Sequence, residues 1–405
     1  MESIKLLQTN NKDKVEKHSI ENFTEDVVKG VIHFHESFDM YEPTPLAKLD
    51  NTAKEFGVKS FYVKDESYRF GLNAFKVLGG SYAIGKYIAN QLGKNIAEMT
   101  YHDLISDEVK EQLGDITFVT ATDGNHGRGV AWTANQLKQK SVVYMPRGSS
   151  PERLENIRKE GSDASIVDMN YDDAVRQANA DAKEKGYVVV QDTAWDGYEE
   201  IPLWIMQGYT TMAYEAVREL EDKGLERPTH LFLQAGVGSM AAAVAAFILN
   251  YYKDNPPIVT IVEPRIADPL YRTALANDGK IHNVSGDLHT IMAGLACGEP
   301  CTIAWDILED HVDFFISAED YVAAKGMRIL ASPLKGDDNL VAGESGAGPF
   351  GCIAEILHKE KYADMKEKLQ LNDHSVCLFF STEGDTDRES YLDIVWDGKY
   401  PSYEE

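Results

Sequence analysis

Four groups of residues in this 405-residue chain have types and spacings suited to chemistry. The first is Lys76, in the run Arg69-Phe70-Gly71-Leu72-Asn73-Ala74-Phe75-Lys76-Val77-Leu78-Gly79-Gly80. A predicted strand, Ser60 to Lys64, enters this run, and an amphipathic helix, Ala74 to Leu92, leaves it with Asn73 as N-cap. Lys76 then falls in the first helical turn, where the positive end of the dipole lowers the pKa of an ammonium. Apolar Phe75, Val77 and Leu78 add desolvation in the same direction, and an amine so tuned attacks a carbonyl carbon. The second group is Thr122-Asp123-Gly124-Asn125-His126, after a predicted strand from Ile116 to Thr120. The third is Ala235-Gly236-Val237-Gly238-Ser239-Met240, between strand His230 to Gln234 and an alanine-rich helix, Met240 to Tyr252. Glycines there let the backbone wrap an anion, and the helix N-terminus supplies oriented N–H groups. The fourth is a pair of carboxylates, Asp123 and Asp192. Asp192 follows predicted strand Tyr187 to Gln191, and strand ends of this kind are where α/β folds hold ligands.

Each group also has a plainer reading. The glycine loop lacks the Gly-Lys-Ser/Thr of a nucleoside-triphosphate loop but matches G-x-G-x-x-A, with Glu263 ending the next strand. A nicotinamide-dinucleotide unit with Glu263 on the ribose is therefore a rival, and helix-packing glycines without a ligand are a third reading. Asp123 suits a helix cap and Asp192 a turn. Glu344 suits a helix start as well as a ligand contact, and His126 suits a structural role as well as a catalytic one.

The elements that must position these groups form a βαβαβαβ run from Ile116 to Gln191, the pattern of a parallel sheet with helices on its faces. A second series of strands and helices follows from His230. We expect an α/β protein of two interlocked lobes, each an open, mostly parallel sheet flanked by helices. Residues 1–85 and 195–405 would form a large cofactor-binding domain, and 86–194 a small inserted α/β domain. Asn22 to Val31 suits a short helix capped by Thr24, within a polar tail of open role. Tyr41-Glu42-Pro43-Thr44-Pro45-Leu46 is an extended, proline-stiffened entry, and Lys94 to Gly114 is irregular.

Hydrophobic residues make up 43% of the chain and aromatics 10%, enough for a large core, and the net charge is -26. So acidic a surface argues against binding nucleic acid or anionic membranes. Four cysteines are too few for a disulfide framework. Cys297 and Cys301 lack the second pair that zinc requires, so no metal is expected. Met1 to Lys5 leads into no apolar signal segment, and no apolar run approaches about 18 residues. These features point to a reducing, cytoplasmic setting.

An imine-forming lysine, an Asn-His turn and a single phosphate cradle together suit pyridoxal phosphate. The segments Lys64 to Tyr82, Thr122 to Trp132, Gln191 to Tyr198, Leu203 to Tyr209, Gln234 to Met240, Ile291 to Pro300, Gly343 to Gly346 and Ser381 to Asp387 carry a resemblance. The chain resembles the fold-type-II pyridoxal-phosphate enzymes, which include serine and threonine dehydratases and the tryptophan synthase β chain. Within that group it is similar to the diaminopropionate ammonia-lyases. The resemblance implies that Lys76 holds the cofactor as an aldimine and that Gly236, Val237, Gly238, Ser239 and Met240 hold its phosphate. It implies Asn125 on the ring hydroxyl and Thr382 facing the ring nitrogen, which leaves the ring a weaker electron sink than a carboxylate would. Thr122, Asp123, Gly124 and Asp192 would meet the substrate.

Dehydratases of the group commonly carry Ser-x-Gly-Asn where this chain has Thr122-Asp123-Gly124-Asn125. A carboxylate there repels an amino acid's own carboxylate and attracts a second ammonium. The implied activity is α,β-elimination of D- and L-2,3-diaminopropionate to pyruvate and two ammonia through an aminoacrylate. Lys76 would be the base on one face, Asp123 on the other, and Asp192 a further catalytic carboxylate. The alternatives are a serine or threonine dehydratase, an NAD(P)-dependent oxidoreductase, and a binding protein without turnover. A homodimer with a small amino-acid substrate and no appended regulatory domain completes the expectation.

Overall fold

The computed structural model describes residues 3–9, 17–122 and 124–402. Its strands, in chain order, are β1 (Ile4–Gln8), β2 (Leu46–Lys48), β3 (Ser60–Asp65), β4 (Thr117–Ala121), β5 (Lys140–Met145), β6 (Asp163–Ile166), β7 (Val188–Val189), β8 (His230–Gln234), β9 (Ile258–Pro264), β10 (Phe314–Ala318) and β11 (Val376–Ser381). They belong to two sheets flanked by helices, a mixed α/β fold. The chain divides into two compact units. The first comprises residues 1–21, 44–68 and 212–405, and the second 22–43 and 69–211.

The first unit holds a seven-stranded sheet in the order β1-β10-β9-β8-β11-β3-β2. Its inner strands are parallel. They read as unbroken buried runs, such as Leu231-Phe232-Leu233 and Val376-Cys377-Leu378-Phe379-Phe380, because helices cover both faces of a parallel sheet. Phe61, Phe232, Phe350 and Phe379 meet at the core, with the Phe61–Phe350 and Phe232–Phe379 ring centroids each 5.2 Å apart. Both edges are antiparallel. Ile4 lies opposite Ala318, and Leu46 opposite Lys64. The expected polar tail is thus in part an edge strand, and the proline-stiffened entry continues into another, a position that tolerates proline.

The second unit realises the βαβαβαβ run as a parallel sheet in the order β6-β5-β4-β7. Helices Asn125–Gln136, Pro151–Lys159 and Tyr171–Lys185 connect its strands. Ala131, Val143, Met145, Ile157 and Ala164 form one small core on this sheet. Helix Glu25–Glu36 outruns its expected end at Val31 because Ile32, Phe34 and His35 continue the buried face. Between Lys94 and Gly114 lie short helices Tyr101–Leu104 and Asp107–Leu113, capped by Thr100 and Ser106. Among the described residues no helix is long and apolar enough to cross a membrane.

Candidate active site

In the second unit the segment before Lys76 is a tight loop. Phe70, Gly71 and Asn73 all have left-handed backbone, with φ of 49°, 69° and 60°. Asn73 is therefore not the N-cap, and the helix starts at Val77, later than the apolar pattern suggested. Lys76 occupies the N-cap position with helical φ and ψ, and its side chain makes no capping bond. It remains at the positive end of the helix. Helix Asn125–Gln136 packs onto it so closely that a Cβ on Gly129 would lie 2.9 Å from the Val77 nitrogen.

Lys76 Nζ donates to Asp192 Oδ2 and lies 5.5 Å and 6.0 Å from the ring centroids of Phe75 and Tyr209. Asp192 is 6% exposed. His126 Nδ1 is 3.9 Å from its Oδ2, while His126 Nε2 faces the Val190 carbonyl oxygen at 2.8 Å. Burial pushes the Asp192 carboxyl up, but the Lys76 and His126 charges and the Lys76 hydrogen bond outweigh it. The net result holds Asp192 well below the usual carboxylate range. Asp192 is thus an ionised partner for the amine rather than a turn former alone.

Two side chains with no motif signal set this arrangement. The buried Gln191 carboxamide uses its full hydrogen-bonding capacity. Its Oε1 accepts from Thr120 Oγ1 (2.9 Å) and Ala121 N (3.1 Å), and its Nε2 donates to the Ala121 carbonyl (3.0 Å) and Tyr171 Oη (2.8 Å). Tyr198 Oη accepts from Gln191 N and donates to the Val189 carbonyl, both at 2.9 Å. These bonds replace ladder pairing beyond Val189, which is why β7 is shorter than the apolar run from Tyr187 to Gln191 suggests. A buried glutamine immediately before a strand-end aspartate was the available clue.

Thr122 follows β4, and its Oγ1 accepts from Gly124 N (3.0 Å) and Gly127 N (3.2 Å), which ties the loop to the first turn of the helix that begins at Asn125. Asp123 lies outside the described residues. Asn125 is half-buried at the helix start. A Cβ on Gly124 would lie 3.0 Å from Arg153 Cδ, which brings to this loop a guanidinium side chain that sequence reasoning missed.

The first unit holds the glycine loop. Gly238 has φ +98°, and a Cβ there would lie 3.2 Å from Leu308 Cδ1; a Cβ on Gly236 would lie 3.1 Å from Leu295 Cα. Neither position accepts a side chain without displacement. Helix Ser239–Tyr251 begins on the loop with glycine at its N-cap, so no side chain caps it, and the N–H groups of a first turn suit an anion. Val237, Ser239 and Met240 complete the concave run, and the Val237 carbonyl is held by Cys301 N at 2.8 Å.

Thr382 follows β11 and is buried. Gln234 Nε2 donates to Thr382 Oγ1 (2.8 Å) and to the Phe380 carbonyl (3.0 Å). A hydroxyl that accepts from an amide keeps its own proton to donate, which suits an unprotonated ring nitrogen. Gln234 Oε1 and Ser345 Oγ are buried without a hydrogen-bond partner among the described residues. Such atoms call for a polar ligand, so the loop, the hydroxyl and these atoms fit a phosphorylated pyridine. Glu344 Oε1 accepts from Ser390 Oγ at 2.7 Å. Glu263 accepts from Leu270 N (3.0 Å) and Tyr271 N (2.6 Å), so it caps helix Pro269–Ala276. Burial pushes its carboxyl well up, and a side chain that is fully buried and turned onto this helix is poorly placed for a ribose. The nicotinamide reading is therefore not favoured.

Residues 38–366 match the family model described as pyridoxal-phosphate dependent enzyme. The diaminopropionate ammonia-lyase of Salmonella typhimurium is 52% identical over 370 residues, 91% of this chain and 92% of that protein. The crystal structure of diaminopropionate ammonia lyase from Escherichia coli in complex with D-serine has a TM-score of 0.91 at 45% identity and covers 98% of both chains. The same enzyme in complex with an aminoacrylate-PLP azomethine reaction intermediate has a TM-score of 0.88 at 44% identity, again over 98% of both. The chain belongs to the pyridoxal-phosphate-dependent enzymes and, within them, to the diaminopropionate ammonia-lyase family.

Proposed function

We propose that this chain eliminates the β-amine of 2,3-diaminopropionate, in both D and L forms, as ammonia, and that water hydrolyses the remaining enamine to pyruvate and a second ammonia. The observation that carries the reading is the Lys76–Asp192 contact, an amine and an ionised carboxylate in one hydrogen bond at a helix N-terminus. Pyridoxal phosphate, when bound, supplies the carbonyl carbon that captures an amine and the ring that delocalises the electron pair left at Cα.

Lys76 Nζ would hold that group covalently, and Gly236, Val237, Gly238, Ser239 and Met240 would take its phosphate through backbone N–H groups. Asn125 would meet the ring hydroxyl, and Thr382 would donate to the ring nitrogen without transferring a proton. Lys76 Nζ, once released as an amine, takes the Cα proton on one face. Asp192 stays ionised and positions Nζ by its charge and hydrogen bond, and His126 faces the same Asp192 oxygen. Thr122 and Gly124 shape the substrate loop. Asp123 attracts the substrate's β-ammonium and is the base on the opposite face.

Asp123→Asn tests the two-face assignment: pyruvate release from the D isomer should fall far more than from the L isomer. Equal losses would overturn it. Faster turnover of L-serine than of either diaminopropionate isomer would restore the dehydratase alternative. We extend the proposal to a homodimer in the cytoplasm, the dimer being open to light scattering.

A further inference from the structure

We propose that His18, Glu309 and Asp310, in the first unit, form a divalent-cation site of the Zn2+ class. On helix Thr302–His311, Asp306, Glu309 and Asp310 share one face by their spacing. His18 comes to that face from the N-terminal segment. Ligand atoms of His18, Glu309 and Asp310 all lie within 4.8 Å of one another.

The imidazole stands between two carboxylates: Nδ1 is 3.1 Å from Asp310 Oδ2, and Nε2 is 3.6 Å from Asp306 Oδ1. A neutral ring carries one N–H, so one of these facings sets a ring lone pair against a carboxylate oxygen. Something positive belongs there. With bonds of about 2.0–2.2 Å to nitrogen and oxygen, tetrahedral Zn2+ holds neighbouring ligand atoms roughly 3.3–3.6 Å apart, so the Nδ1–Oδ2 hydrogen bond of 3.1 Å would have to open by only a few tenths of an ångström. The carboxylate that remains on the other ring nitrogen then orients the imidazole, as outer partners of metal-bound histidines do.

A second observation concerns Asp310 alone. Its side chain is 1% exposed, and Oδ2 accepts from Lys17 N (2.7 Å) and His18 N (2.9 Å) besides facing the ring. Its Oδ1 is buried with no hydrogen-bond partner among the described residues. A buried carboxylate oxygen left unpaired is costly, and a cation held by both Asp310 oxygens would satisfy it. An imidazole with carboxylates and no thiolate suits a borderline ion over a soft one.

The test is calorimetric titration of ZnCl2 into the pyridoxal-phosphate-loaded, tag-free protein after chelator treatment, with Mg2+ as the control ion. Zn2+ should saturate at one equivalent, with Mg2+ far weaker. His18→Ala and Glu309→Gln should each weaken Zn2+ binding by about tenfold or more. Glu309 is partly exposed, so its variant carries the test should His18→Ala fold poorly. No Zn2+ binding would overturn the site and leave a protonated imidazole as the bridge. Binding that survives either variant unchanged would also overturn it, because the ion would then sit on a different ligand set.

Discussion

Asparagine at position 192 would keep the shape of the side chain and remove the charge that faces Lys76. In the protein stripped of pyridoxal phosphate, where Nζ is a free ammonium, the two side chains are 20% and 8% exposed. Breaking a buried pair from one side costs about 3–5 kcal/mol, and the partial exposure of Lys76 puts this case near 3 kcal/mol, as an order of magnitude. For a unit of this size, each kcal/mol moves the melting midpoint by roughly 2–4 °C. The Asp192→Asn midpoint should therefore fall by about 6–12 °C at pH 7. The pH dependence has a definite sign. Asp192 is held below its unfolded value, so its stabilisation is complete above the unfolded carboxylate pKa of about 3.9 and is lost as pH falls through the folded value. The gap between wild type and variant should be constant from pH 6 to 8, taken as roughly neutral conditions, and should close only in acid. Calorimetric melts across pH measure this, and pyruvate release from each isomer measures the chemistry. Loss of the charge that positions the Lys76 base should lower kcat by about 10²–10⁴-fold. Equal midpoints at pH 7, with kcat within about twofold of wild type, would refute the coupling of Asp192 to Lys76.

Gly238→Ala should cost about 1–2 kcal/mol from the left-handed backbone and weaken pyridoxal-phosphate binding in an absorbance titration. Gly398→Ala, at φ +74° with no atom within 4 Å of the added Cβ, should leave that affinity unchanged. Thr382→Val keeps the volume but removes both the acceptor for Gln234 and the hydroxyl proton. It should lower kcat by roughly tenfold, the scale of one hydrogen bond, in steady-state assays. Glu263→Ala removes both capping bonds of helix Pro269–Ala276 and should cost about 1–2 kcal/mol in denaturant melts, with kcat/KM unchanged. A loss confined to kcat/KM would return Glu263 to the site.

The parts of the fold carried by local pattern were legible in the sequence. β8 lies where its apolar run predicts, and the glycine loop could be read because Gly238 requires a backbone that other residues resist. What sequence reasoning misplaced depends on distant partners. The edge strand β1 exists because Ile4 pairs with Ala318, and nothing within five polar-flanked residues announces that partner. Ala74 and Phe75 look like a first helical turn, yet left-handed residues just before them delay the helix to Val77. Asp192 was legible as a strand-end carboxylate as well as a turn residue, but its partner, Lys76, lies across a sequence separation of 116 residues. The helix-capping role of Glu263 likewise depended on a segment beyond its own strand.

The Gln191 carboxamide has a consequence for how such enzymes are recombined. It joins the end of β4, where the substrate loop begins, to the residue before Asp192, and it has no bonding capacity left over. The two loops therefore travel as one cassette. A chimera that takes residues 117–136 from one relative and 187–198 from another would keep its activity only if both parents present matching donors and acceptors at this junction. Crossover points placed outside both segments should be tolerated, and points placed between them only where the two parents match at this junction.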